Sequence, residues 1–96
     1  MISDKKGFKE LMERHPLADK FAKEVFKKVD IHLPSHEVDA DVTRVTNELL
    51  EKYHNELSEN KYNELLNDVI KFNEELTTKC DIFELEFFIR EYYDLK

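Results

Sequence analysis

His32 and His36 stand four residues apart, and Glu37, Asp39 and Asp41 follow directly. Imidazole and carboxylate groups are the usual donors to zinc and other divalent ions. This stretch is therefore where metal chemistry would be sought first. The spacing argues against it. Pro34 lies between the two histidines and disfavours helical geometry in the residue before it, so the pair is not held on one helical face. The order of residues is not the HExxH of zinc hydrolases. It is not an EF-hand either, because the turn glycine and the terminal glutamate are misplaced. Acids just inside a helix start have a simpler cause, since they complement the positive end of the helix dipole. A metal-binding protein using the His32/His36 loop stands as the second alternative for function, and no metal or cofactor is expected.

Other reactive side chains are isolated. Cys80 is the single cysteine, and its neighbours Lys79 and Asp81 nearly cancel in charge, so nothing activates the thiol. One cysteine cannot form an internal disulfide, which suits a reducing compartment. His15 falls on an apolar helical face and His54 sits beside Tyr53, so both read as packing residues. Glu74 with Glu75, Glu84 with Glu86 and Asp39 with Asp41 are paired acids, but such close neighbours on a helix point in different directions. A phosphate cradle needs several glycines, and Gly7 is the only one. No serine or cysteine nucleophile has a recognisable setting. A catalyst is not expected.

The elements that would carry these residues are helical. One Gly and two Pro leave too few turn formers for an all-β chain. Ser3 is the candidate cap of a first helix, with Asp4 at its positive end, and the face of that helix is Phe8, Leu11, Met12 and His15. Pro16 either starts a new helix or kinks a long one. Ala18, Phe21, Ala22, Val25, Phe26 and Val29 continue as an amphipathic stripe. Asp30 to Ser35 is the clearest break, with Ser35 a candidate cap for the next helix. Val38, Val42, Val45, Leu49, Tyr53 and Leu57 form one seam of a long helix. Tyr62, Leu65, Leu66, Val69, Phe72 and Leu76 line another, with Ser58 as its cap. The short connection makes a hairpin of residues 35–57 with residues 60–78.

The last segment is ambiguous. Asp81 and Glu84 have capping-box spacing, and Ile82, Leu85, Ile89, Tyr92 and Tyr93 share a helical face. Phe83, Phe87 and Phe88 fall off that face. Such a helix is either the most buried one or offers a second apolar face to another chain. Alternation at Phe83, Leu85, Phe87, Ile89 and at Val29, Ile31, Leu33 would instead suit strands. The expected fold is a single all-α domain over residues 1–96, a compact antiparallel bundle of four to five helices. An α+β fold pairing residues 29–33 with residues 82–90 is the alternative.

Charge is divided unevenly along the chain. Residues 1–29 hold eight Lys/Arg and five Asp/Glu, whereas residues 30–96 hold seven and seventeen, for a net charge of −7. That field repels polyanions and attracts cations, so direct nucleic-acid binding is not expected and a basic partner is. No apolar run reaches the roughly 20 residues of a membrane span, and the N-terminus lacks the apolar core of a signal peptide. A cytoplasmic protein with no membrane contact is the expectation. Among functions, the one expected is a small acidic binding protein that inhibits a basic nuclease or other nucleic-acid enzyme. Immunity proteins, antitoxins and phage counter-defence proteins are analogous in size and charge. Its contact residues would be Glu84, Glu86, Phe87, Phe88, Glu91, Tyr92, Tyr93 and Asp94, joining charge steering to aromatic anchors. A homodimeric helical adaptor, paired through the same aromatics, is the first alternative.

Overall fold

The computed structural model describes residue 2, residues 4–30 and residues 32–95, without the side chains of Ser35, Ile82 and Phe83. Five helices follow one another: α1 (Lys5–Glu13), α2 (Pro16–Lys28), α3 (Ser35–Glu56), α4 (Glu59–Lys79) and α5 (Ile82–Tyr92). No strand occurs among the described residues. The all-α bundle holds, and the strand pair does not. Residues 82–92 are helical, and Val29, Asp30, His32 and Leu33 form the bend and turn that lead into α3. Ile31 lies outside the described residues. Periodicity over a short apolar run cannot separate helix from strand, and here the capping signal at Asp81 was the better guide. The Asp81 carbonyl accepts from the Glu84 and Leu85 amides as α5 begins.

Local chemistry accounts for the helix ends. Asp4 caps α1 by accepting from the Gly7 amide at 2.7 Å, one residue after the expected cap, Ser3, which lies outside the described residues. Pro16 splits rather than kinks the first helical region. It is the first residue of α2, where its missing N–H costs nothing. The Ser58 side chain accepts from the Lys61 amide at 3.3 Å and caps α4. α3 starts after Pro34, which has no side-chain cap to offer, and the side chain of Ser35 lies outside the description.

Asp94 closes α5 with a left-handed backbone, φ 54°. The Leu95 amide reaches back to the Arg90 carbonyl at 2.8 Å and the Asp94 amide to that of Glu91 at 3.3 Å. That pairing is a Schellman closure, in which glycine is the usual residue at the left-handed position.

Packing centres on α2. It lies against α4 and α3 more extensively than those two lie against each other, so the expected α3–α4 hairpin is splayed and α2 fills the space between its arms. One side of the α2 stripe, Ala18 and Ala22, joins a core with Phe8, Leu11, Met12 and Phe88. The other side, Phe21 and Val25, joins a second core with Val29, Val45, Leu49 and Leu65. Burying one such side chain is worth about 1.5–3 kcal/mol, so these two clusters supply most of the folding drive. The α5 helix is not the central one. It packs chiefly on α1, where Phe88 stacks on Phe8 with ring centroids 5.4 Å apart. Ahead of α1, the Ile2 amide donates to the Lys79 carbonyl at 2.7 Å, a single parallel bridge that ties the N-terminal segment to the α4–α5 junction. Among the described residues no helix is long and apolar enough to cross a membrane.

Candidate functional site

The residues expected to meet a partner divide sharply. Phe88 is 5% exposed and belongs to the core, so it cannot serve as a docking anchor. Tyr92 and Tyr93 are half-buried, and both turn their hydroxyls to Asp19 at the start of α2, at 3.1 and 2.8 Å. These two rings latch α5 to α2. Burial and the Asp19 carboxylate push the Tyr92 hydroxyl up to about 12 and raise that of Tyr93 as well. The other ring, Phe87, is 55% exposed. Glu84, Glu86, Glu91 and Asp94 are exposed too; Glu91 pairs with Lys5 at 2.7 Å and Glu86 with Arg90 at 2.9 Å. A ring-rich anchor at the C-terminal end therefore reduces to Phe87 with flanking acids.

Beside α5 lies a feature the sequence reading did not foresee. An apolar groove of about 740 Å³ runs between α3 on one side and α4 with α5 on the other. Its floor is α2, through Ala22, Val25 and Phe26. Val38 and Val42 of α3 form one wall, and Val69, Ile70 and Ile89 form the opposite one. Most of these are half-buried, and Ile70 is 49% exposed. Along the rim stand Asp39, Thr43 and Asn47 from α3, Asn73 from α4, and Glu86 with Arg90 from α5. The groove exists because α2 holds α3 and α4 apart. Helices that met directly would have covered this surface.

The acids are not distributed evenly over the helices. The three that wall the groove carry fourteen Asp/Glu against six Lys/Arg, whereas α1 and α2 carry four against seven. Internal bonds engage acids on α2, α3, α4 and α5 alike: Asp41 and Glu48 pair with Arg44, Glu86 with Arg90 and Glu91 with Lys5, and Asp68 and Glu75 meet His15. Both acids of α2 are engaged by tyrosines: Asp19 as described, and Glu24 by the Tyr53 hydroxyl at 2.6 Å. Lys20, Lys23, Lys27 and Lys28 remain on the exposed part of that helix. On α3 and α4, Glu37, Asp39, Glu48, Glu51, Glu56, Glu59, Glu64 and Glu74 are all exposed, Glu48 in a pair with Arg44 at 2.9 Å.

One titratable cluster is internal. His15 is 8% exposed and lies between two carboxylates of α4. Its Nδ1 is 2.9 Å from Asp68 and its Nε2 is 2.6 Å from Glu75. Asp68 also accepts from the Ala18 amide at 2.8 Å, so α4 caps the N-terminus of α2 from outside it. Arg14 and Lys79 stand on Glu75 at 3.5 and 3.1 Å. Burial opposes a charged imidazole here, but the hydrogen bonds to Asp68 and Glu75 outweigh it and raise His15 above its usual value. The same bond to His15, helped by Lys79 and Arg14, lowers Glu75 to about 2. With a carboxylate within hydrogen-bond distance of each ring nitrogen, neither nitrogen is open to a substrate, so the role of His15 is structural. Sequence reading placed His15 on an apolar face and missed its partners. The seven-residue spacing of Asp68 and Glu75, two turns on one helical face, was the available signal.

The remaining candidates stay apart. His32 and His36 are exposed, and among the described residues no group of three or more His, Cys, Asp or Glu is arranged to hold a metal ion. His54 stacks on Tyr62 across the α3–α4 turn, with centroids 4.5 Å apart. Cys80 is buried, and burial together with Glu84 raises its thiol. Comparison of this chain with protein families, with curated proteins and with solved structures found no match.

Proposed function

We propose that this chain is a small acidic, non-catalytic binding protein of the cytoplasm that neutralises a basic, nucleic-acid-handling protein. The observation that carries this reading is the partition of charge by helix. Exposed carboxylates concentrate on α3, α4 and α5, while α1 and α2 carry four Asp/Glu against seven Lys/Arg. Long-range attraction from such a surface speeds encounter with a cationic partner and opposes nucleic acid itself. A protein that covers the phosphate-binding surface of a nuclease needs this charge and no reactive group of its own.

The test is affinity capture from the host lysate at low salt, followed by kinetics on the protein retained. The expected result is a basic, nucleic-acid-handling protein whose activity falls when this chain is added. Its association rate should drop at least tenfold between roughly 50 and 500 mM salt, as screening shortens the reach of the charges. Association insensitive to salt, or a captured protein whose activity is untouched, would overturn the reading.

A second reading, the homodimeric adaptor, is favoured by one observation: Phe87 stands exposed on α5 beside Glu84 and Glu86. Light scattering at high concentration decides it. A dimer split by Phe87→Asp would support an adaptor, and a monomer would remove it. Phe88→Asp is unsuitable for this purpose, since Phe88 is part of the core.

A further inference from the structure

We infer that the groove between α3 and α4–α5 is the docking site for an amphipathic, lysine- or arginine-flanked helix. This deepens the proposed function by naming the segment of the basic partner that is bound.

Three observations select that occupant. The first is shape. The α3 wall from Val38 to Asn47 runs about 14 Å at 1.5 Å per residue, the length of two to three turns of a second helix. The second is chemistry along the walls. Half-buried Val42, Val69, Leu85 and Ile89 present the continuous apolar strip that a helix with anchors at i, i+3, i+4 and i+7 would cover. The third is charge. Asp39 stands on one rim and Glu86 on the other, and the helices behind both rims have an excess of acids. Glu86 already holds Arg90 at 2.9 Å, so an incoming cation would join or replace that pair. An apolar strip edged by Asp39 on one rim and by the Glu86–Arg90 pair on the other, on helices with an excess of acids, matches a helix whose apolar stripe is edged by basic residues. Thr43, Asn47 and Asn73 complete the rim with groups that can hydrogen-bond without opposing either charge.

The inference is tested by titrating isotope-labelled protein with a synthetic leucine–lysine peptide of about 14 residues, its leucines at helical spacing. A leucine–glutamate peptide of the same pattern and a long-chain fatty acid are run beside it. The leucine–lysine peptide should shift the amide signals of Val42, Thr46, Ile70 and Asn73. Ile70→Lys should weaken its binding at least tenfold, while Glu56→Lys, outside the groove, changes it less than about threefold. Ile70 is half in solvent, so its replacement should leave the fold intact. Thr43→Lys on the exposed rim provides a second variant should Ile70→Lys fail to fold.

Peptide shifts outside the groove, equal binding by the glutamate peptide, or equal binding by both groove variants would overturn the inference. So would uptake of the fatty acid with no peptide binding, or a dimer that Ile70→Lys dissociates. Capture of the basic partner separates this inference from the function it rests on. A salt-sensitive inhibitory partner held equally by wild type and Ile70→Lys would sink the groove assignment and leave the function standing. Peptide binding in the groove without any such partner would do the reverse.

Discussion

His15 shows how much a single side chain can connect. It ends the α1–α2 junction, and both its ring nitrogens are taken by α4 carboxylates. Because its folded value is raised above the ordinary 6.5, its contribution to stability is fully present below that value. The contribution is lost as pH rises through the raised folded value. Glu75 behaves in the opposite sense. Lowered from 4.5 to about 2, it contributes above 4.5 and loses that contribution as pH falls toward 2. The cluster is therefore strongest between about pH 4.5 and 6.5. Replacing His15 with Gln should cost about 1–3 kcal/mol in that window. In urea titrations the gap between wild type and His15→Gln should be widest near pH 5.5 and narrow steadily as pH rises. A gap independent of pH would mean that the imidazole is neutral.

At the scale of elements, α2 is the hub and its neighbours are fastened to it by polar latches. Asp68 and Glu75 of α4 hold His15, Asp19 holds Tyr92 and Tyr93 at the end of α5, and Glu24 holds Tyr53 of α3. Each latch joins a charged acceptor to a donor, the stronger class of hydrogen bond. Helix ends offer a cleaner test than latches. Asp94 occupies a left-handed position that a side chain with a Cβ adopts at a cost. Asp94→Gly should raise stability by about 0.5 kcal/mol through relief of that strain. The urea midpoint should move upward with an unchanged slope. A fall would show that the Asp94 side chain makes a compensating interaction.

At the scale of the molecule, thinness of the core decides how the chain responds to damage. A chain of this size is stable by roughly 5–15 kcal/mol in total. Phe88 stacks on Phe8 and edges the cluster that ties α1 to α5, so Phe88→Ala should cost about 3–5 kcal/mol and bring the domain near unfolding. Phe87→Ala, one residue earlier and mostly in solvent, should change stability by less than about 0.5 kcal/mol. Chemical denaturation of both variants checks the pair. Equal losses would mean that Phe87 is covered in solution, which is the adaptor's prediction. The field of the whole chain belongs to this scale as well. A net charge of −7 carried mainly on three helices is what the salt dependence of partner capture measures.

Helical class, the break at residues 30–34 and the cap at Ser58 were legible in the sequence, while the cap of α1 fell at Asp4, one residue after the expected Ser3. Each follows from local rules: residue spacing, proline's missing donor, and side chains that satisfy amides within a turn. The charge division was legible because charge is additive along a chain. Tertiary packing alone decided that α2 would separate α3 from α4, that Phe88 would be buried and Phe87 left in solvent, and that His15 would meet Asp68 and Glu75. Those outcomes depend on pairs distant in the chain, 29 residues apart for Glu24 with Tyr53 and 53 for His15 with Asp68, and on which of several apolar faces wins the limited interior. Periodicity specifies a face but not its partner. For that reason the acids could be counted from the sequence, while the groove they border came into being only when the helices packed.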